Sequence, residues 1–209
     1  MILLHGNGEN LGYFSNQVSF FAENYTVYAV DTRGHGDSPR GNGDFTLSRF
    51  ADDLLNFMNE HSIDKAHLLG FSDGGNIALI FALRYPEKVD RLILNGANLF
   101  PEGLESNILE EIKTEYAKAI SSSAEDSLQN AELLALMVNE PQIKPESLSA
   151  LKCKTLVIAG TKDMIAESHT RLIAQSIPHS SLVFIEGGHF IAVSSYKRFN
   201  KAVYDFLTK

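Results

Sequence analysis

The sequence holds one cysteine, no long apolar run and fewer basic than acidic side chains. Cys153 cannot form an internal disulfide, which favours a reducing compartment such as the cytoplasm. No apolar run approaches the roughly 20 residues of a membrane-spanning helix. The first residues, Met1 to Gly6, also lack the basic start and apolar core of a signal peptide. The net charge of −8 argues against nucleic acid or an anionic membrane as a partner.

The excess of negative charge is concentrated in one part of the chain. Residues 98–150 contain ten acidic side chains against three lysines, which leaves the other residues close to neutral. The same segment contains no strand pattern. We therefore expect it to form an acidic helical unit that differs from the chain on either side.

Short apolar runs alternate with amphipathic stretches along the remaining chain. The predicted strands are Ile2–Leu4, Tyr25–Val30, Ala66–Phe71, Arg91–Leu94, Thr155–Ala159 and Ser181–Ile185. These runs are apolar on both faces, as in strands of a parallel sheet that is covered on both sides. The alternation of strand and helix predicts an α/β fold, a doubly wound, mostly parallel sheet of about six strands.

Two apolar stripes at helical spacing lie in residues 98–150. The first is Leu104, Ile108, Leu109, Ile112, Tyr116 and Ile120, and the second is Leu128, Leu133, Leu134, Met137 and Val138. Ser121 to Ser123 form the expected turn between them. We interpret residues 98–150 as a short helical cap inserted into a core made of residues 1–97 and 151–209.

The most informative motif is Gly70-Phe71-Ser72-Asp73-Gly74-Gly75, which follows an apolar strand and precedes a helical pattern. A nucleophile elbow requires this context, because a tight turn between strand and helix exposes the serine hydroxyl. The start of the helix also directs amide N–H groups at the position where negative charge develops. Ser72 is therefore the predicted nucleophile.

A serine nucleophile needs a base, and the chain offers seven histidines. His189 follows the last predicted strand, in the loop Glu186-Gly187-Gly188-His189. Asp163 follows the preceding strand, so both side chains are expected at the edge where parallel sheets bind ligands. The sequence predicts a triad of Ser72, His189 as general base and Asp163 as its acid partner.

These motifs resemble the α/β-hydrolase superfamily over nearly the whole chain. The matching stretches are His5 to Gly8, Asp31 to Ser38, Gly70 to Gly75, Gly160 to Asp163 and Gly187 to His189. The resemblance implies an oxyanion hole formed by the backbone N–H groups of Asn7 and Asp73. It implies no cofactor, and the sequence shows no metal-ligand cluster.

The chain departs from the family at its start. Most members have an antiparallel strand pair before the His-Gly strand, and we expect that pair to be absent here. Tyr25–Val30 would then be an unprotected edge strand, which is a template for pairing with another chain. We expect either a homo-oligomer through this edge or a covering segment.

The resemblance implies a serine hydrolase that cleaves a small carboxylic ester or amide. Three other serine-triad activities share the constellation: cofactor-free haloperoxidases, enol-lactonases and C–C bond hydrolases. A binding protein or receptor on a hydrolase scaffold is the alternative from another class. Rate measurements separate it from an enzyme, because a receptor would show at most one slow acylation.

Asp73 and Asn98 are the predicted substrate-binding side chains. Asp73 beside the serine, together with Asn95-Gly96-Ala97-Asn98, resembles the biphenyl-hydrolase-like, valacyclovir-hydrolysing enzymes. In that group this aspartate is associated with the substrate's amino group, which implies a preference for amine-bearing acyl groups. The alternative is a purely structural role, in which the negative charge of Asp73 at the N-terminus of its own helix stabilises that helix by about 0.3–1 kcal/mol.

Overall fold

The computed structural model describes residues 1–122 and 125–209, with only the backbone given for residues 125–128. Ser123, in the predicted turn, and the side chain of Leu128 lie outside the described part. No described helix is long and apolar enough to cross a bilayer.

The described chain forms one sheet of six parallel strands in the order β2-β1-β3-β4-β5-β6. The strands are β1 (Ile2–Leu4), β2 (Tyr28–Val30), β3 (Ala66–Phe71), β4 (Val89–Asn95), β5 (Lys154–Gly160) and β6 (Ser180–Ile185). The helices are α1 (Ser15–Phe21), α2 (Leu47–Glu60), α3 (Asp73–Arg84), α4 (Ser106–Ser121), α5 (Glu125–Asn139), α6 (Glu167–Ser176), α7 (Ile191–Ser194) and α8 (Tyr196–Thr208). The predicted fold class is confirmed.

Helices cover both faces of the sheet. Because successive side chains of a strand point to opposite faces, Leu68 belongs to one apolar core and Leu69 to the other. Phe81 packs in the first core and Phe199 in the second, and all four side chains are fully buried. This two-sided burial explains why the central residues of the strands are apolar on both faces.

The edge strand β2 is shorter than predicted, and the prediction of Tyr25–Val30 was wrong at its start. The amide of Tyr25 donates to the carbonyl of Phe21 at 2.9 Å, so Tyr25 still belongs to the turn that ends α1. The carbonyl of Thr26 accepts from the N-terminal ammonium of Met1 at 2.8 Å, just before the regular pairing of β2 with β1 begins at Tyr28. The location of β2 at an edge of the described sheet agrees with the prediction.

The chain between β4 and β5 contains α4 and α5, and these two helices pack against each other. The first predicted stripe is only partly buried: Leu109 is buried, whereas the side chain of Ile120 is 58% exposed. An isolated antiparallel bridge joins Leu104 to Ile165, which ties the start of this segment to the loop after β5. The segment is thereby held over the carboxyl ends of the strands.

Candidate active site

Ser72 lies in the tight turn between β3 and α3, with φ 52° and ψ −121°. Neighbouring backbone lies so close to this turn that residues larger than glycine do not fit at positions 70 and 74. A Cβ on Gly70 would lie 2.2 Å from the carbonyl oxygen of Gly74, and one on Gly74 would lie 2.0 Å from that of Leu4. The turn therefore has the strained geometry that the glycine motif predicted.

His189 and Asp163 are brought together at the carboxyl ends of β6 and β5. Nδ1 of His189 lies 2.6 Å from Oδ1 of Asp163, and the two side chains are 7% and 2% exposed. Burial alone raises the pKa of Asp163. Hydrogen bonds from His189 and from the amides of Ile165 and Gly160 outweigh it and hold that pKa below its ordinary value.

The imidazole of His189 is fixed by close packing. The Phe71 ring lies 4.6 Å from it between centroids. Gly96 has φ +59°, and a Cβ there would lie 2.7 Å from Cε1 and 2.9 Å from Nδ1 of the imidazole. Nε2 of His189 is buried and has no partner among the described residues, Ser72 included. Such contacts are often long without substrate and tighten when it binds.

The loop after β1 lies against the nucleophile. A Cβ on Gly6 would come within 3.2 Å of the Cβ of Ser72. Asp73 is the first residue of α3, and neither its backbone N–H nor that of Asn7 donates to a described acceptor. Asp73 follows Ser72 directly, and Asn7 follows the glycine that packs against Ser72, so both predicted oxyanion amides belong to the two segments that meet at the nucleophile.

The side chains behind these amides form a polar network. Asn7 Nδ2 donates to Asp73 Oδ2 and to the carbonyl of Leu133, each at 2.9 Å. Asn76 Nδ2 donates to Asp73 Oδ1 at 3.3 Å and to Asn98 Oδ1 at 2.9 Å. The network ties the elbow, the loop after β1 and the residues after β4 into one unit.

Ser72 faces a narrow, largely enclosed cavity of about 10 Å³. Its lining residues are Ser72, Asp73, Asn98, Leu104, Met137, Glu140, Met164 and Ile165. Apolar side chains therefore oppose two carboxyl groups. Both predicted substrate-binding residues line the cavity, although the side-chain atoms of Asn98 already bond to Asn76 and to the carbonyl of Phe100.

Glu140 was not singled out by the sequence, where it is one acidic residue among ten in its segment. Its Oε2 accepts from the amide of Leu47, at the start of α2, at 2.8 Å. Burial is the main reason that its pKa is raised, and the charge of Asp73 acts in the same direction. Burial also raises the pKa of Asp73, against the hydrogen bonds from Asn7 and Asn76. No local motif marks Glu140.

Comparisons with known proteins agree with this geometry. Residues 1–130 match the sequence model of the alpha/beta hydrolase fold. The serine hydrolase BPHL of Mus musculus is 29% identical over 88% of this chain and 69% of its own length. The 3-oxoadipate enol-lactonase 2 of Acinetobacter baylyi is 26% identical over 97% of this chain and 86% of its own. The structure of a hydrolase from Pseudomonas aeruginosa PA01 superposes with a TM-score of 0.82 at 25% identity, covering 100% of this chain and 89% of that one.

Proposed function

This chain belongs to the α/β-hydrolase fold family, and we propose that it is a serine hydrolase that cleaves small carboxylic esters or amides through an acyl-enzyme on Ser72. One observation carries the proposal. The strained serine turn opens on a largely enclosed cavity and meets the loop that carries the amide of Asn7, and a buried His189–Asp163 pair lies at the same edge of the sheet. These are the parts that acyl transfer requires.

In the proposed mechanism, Nε2 of His189 takes the Ser72 proton as Oγ attacks the carbonyl carbon. The oxyanion accepts hydrogen bonds from the amides of Asn7 and Asp73, each worth about 3 kcal/mol of barrier in comparable sites. His189 then protonates the leaving group, and water hydrolyses the acyl-enzyme. Asp163 orients the imidazole and stabilises its cationic form.

We further propose that the substrate's acyl group carries an amine. Asp73 and Glu140 line the same small cavity as Ser72, with apolar side chains opposite. Burial raises the pKa of both carboxyl groups, which means that an ammonium bound between them would stabilise their charged forms. An ammonium bound there would pair with these carboxylates and compensate for the solvation that burial removes from them.

Residues 98–150 are proposed to act as the cap over this cavity, on a core of residues 1–97 and 151–209. Leu104 and Met137 of the segment line the cavity directly, and the carbonyl of Leu133 holds the side chain of Asn7. The cavity volume of about 10 Å³ leaves room for no more than one water molecule, so an acyl group enters only when the lining side chains move. We propose a cytoplasmic location on the grounds of the single, buried cysteine.

The alternative is a binding protein on a hydrolase scaffold. Nε2 of His189 has no hydrogen bond to Ser72 among the described contacts, an arrangement that an enzyme without substrate and a binding protein would share. A panel of chromogenic esters of varied acyl length and charge, run on wild type and on Ser72→Ala, decides between the two. A serine hydrolase should turn over repeatedly and lose about 10⁶ in kcat on the substitution. A single slow acylation, or equal turnover by Ser72→Ala, would refute the proposed enzyme.

We also propose that two copies of the chain associate through β2. Its three residues are only half-buried, and β2 pairs on one side only, with β1. A groove of about 310 Å³ adjoins this edge and is lined partly by Val30, Phe50, Leu54 and Phe57. An apolar groove beside an open strand edge is a surface that a second strand can cover.

A further inference from the structure

Two buried polar groups near the nucleophile have no role in the mechanism above. Oε2 of Glu9 and the hydroxyl oxygen of Tyr13 are both buried, and neither has a hydrogen-bond partner among the described residues. Nε2 of His189 shares this condition. Buried polar atoms are rarely left unpaired in native proteins, so each of these three atoms calls for a partner such as a water molecule.

Packing holds both residues beside the nucleophile. The Tyr13 ring stacks on Phe71, with centroids 4.3 Å apart and planes inclined by 6°. Phe71 precedes Ser72 and also contacts the ring of His189. Glu9 belongs to the loop of the predicted oxyanion hole, where its amide donates to the carbonyl of Gly6 at 3.3 Å.

We propose that the carboxylate of Glu9 and the hydroxyl of Tyr13 bind the water molecule that hydrolyses the acyl-enzyme and orient it towards His189. This inference rests on the proposed serine hydrolase function. It adds Glu9 and Tyr13 as water-orienting residues to a triad that would otherwise hold its water by one imidazole nitrogen.

The hydrogen-bonding capacities of the three groups match those of one water molecule. With Nδ1–H of His189 donated to Asp163, Nε2 is an acceptor, and Glu9 Oε2 is a second acceptor. These two take the two O–H groups of the water, and the Tyr13 hydroxyl donates to one lone pair. The other lone pair of the water is then free to attack.

In this step the water oxygen forms a bond to the acyl carbon as one water proton moves to Nε2 of His189. The bond between the acyl carbon and Ser72 Oγ then breaks, and the proton on Nε2 passes to Oγ. The carboxylic acid product leaves with the other water proton. Glu9 keeps its charge throughout and acts only by orienting the water.

The electrostatics of Glu9 are consistent with a position beside the imidazole. Burial raises the pKa of Glu9, whereas the Gly6 amide and the charge of His189 lower it. The pKa of Tyr13 is raised by burial and, to a smaller extent, by the charges of Glu9 and Asp163. Both groups therefore lie within the electrostatic reach of the predicted triad.

The test measures acylation and deacylation separately on the full chain. Wild type, Glu9→Gln and Tyr13→Phe are mixed rapidly with p-nitrophenyl acetate, and the lifetime of the acetylated enzyme is followed by mass spectrometry. We expect Glu9→Gln to release the first nitrophenol at the wild-type rate and to deacylate about 10- to 100-fold more slowly. Tyr13→Phe keeps the stack on Phe71 and should show a smaller slowing of the same step.

Stability distinguishes an orienting role from a structural one. Oε2 of Glu9 is buried without a partner among the described residues, and a glutamine at this position can still accept from the Gly6 amide, so Glu9→Gln should unfold at about the wild-type temperature or above it. Glu23→Gln, which removes the same charge at an exposed position, is the matched control and should deacylate normally. Should Glu9→Gln fold poorly, Glu9→Asp tests the same step with the charge retained and displaced.

An unchanged deacylation rate in both Glu9 variants would overturn the inference, as would an equal slowing of acylation and deacylation. Turnover by Ser72→Ala at the wild-type rate is a different result, because it refutes the proposed function itself. The two failures are therefore distinguishable in one set of experiments.

Discussion

The side chain of Asn7 donates a 2.9 Å hydrogen bond to the carboxylate of Asp73, which joins the two residues whose amides form the proposed oxyanion hole. The bond crosses 66 residues of chain and connects the loop after β1 to the first turn of α3. This side-chain contact therefore ties together the two segments that carry the amides, and its acceptor Asp73 lines the proposed substrate cavity.

Asp73→Asn should reduce the preference for cationic substrates. The neutral amide can still accept from Asn7, so the oxyanion loop stays in place while the negative charge is lost. We expect the ratio of kcat/KM for an aminoacyl ester to that for a neutral ester of matched size to fall about 10-fold. Glu111→Gln, at an exposed position in α4, is the control for the general field of the acidic segment. An equal ratio in wild type and Asp73→Asn would leave Asp73 with no part in substrate choice.

Asp163→Asn should lower kcat by about 10⁴ and leave the fold intact. The asparagine amide can donate to Nδ1 of His189, which would place the imidazole proton on Nε2, where a base is needed. His189→Ala should cost more, and combining the two should add little, because the residues act as a unit. Steady-state rates with one chromogenic ester, alongside circular dichroism, check this. Additive losses in the double variant would argue against a triad.

Gly96→Ala should impair activity although residue 96 carries no chemistry. The added Cβ would lie 2.7 Å from the imidazole of His189, and φ +59° disfavours any side chain there. A displacement of the base by about 1 Å costs on the order of 10²-fold in rate. Ala97→Gly changes the neighbouring residue without adding a Cβ and is the control. A fully active Gly96→Ala would show that His189 tolerates movement.

Acid should destabilise the fold through His169. Its Nε2 accepts from the amide of Leu99 at 2.9 Å, and burial lowers its pKa from 6.5 to about 4. Between pH 6.5 and pH 4, His169 is protonated in the unfolded chain but not in the folded chain. The free energy of unfolding therefore falls as the pH drops below 6.5, and this fall ends near pH 4. The loss is at most about 3 kcal/mol.

Urea unfolding of wild type and His169→Gln at several pH values tests this, since a glutamine carbonyl can still accept from Leu99. Burial lowers the pKa of His5 and His67 as well, so all three histidines contribute to the change of the wild-type unfolding free energy with pH. The difference in this pH dependence between wild type and His169→Gln gives the contribution of His169 alone. Identical slopes would contradict the assignment.

Association through β2 should appear as a dimer in size-exclusion chromatography with light scattering. The dimer fraction should rise with protein concentration and persist in salt, because the proposed contact is made by strand pairing and apolar burial. A monomer at every concentration would refute pairing at this edge.

The sequence predicted the parts of the site that are local in the chain. The elbow around Ser72 is one contiguous motif, and the positions of Asp163 and His189 follow from the rule that parallel strands meet at one edge. Strand ends were less accurate, because the ladder with β1 decides where β2 begins. Glu140 and Glu9 were not predicted. Glu140 bonds an amide 93 residues away, and the burial of Glu9 Oε2 depends on tertiary packing that no local pattern encodes.

The strained backbone of Ser72 lowers the stability of the fold, so selection for stability alone should act against serine at this position. A residue with a side chain at φ 52° costs roughly 1–3 kcal/mol, which glycine at the same position would largely avoid. Ser72→Gly should therefore unfold at a higher temperature than wild type. If the turn served only to connect β3 to α3, glycine at position 72 would make the protein more stable at no cost. Random substitution at position 72 should therefore enrich glycine when variants are selected for heat resistance. Selection for ester turnover should enrich serine instead.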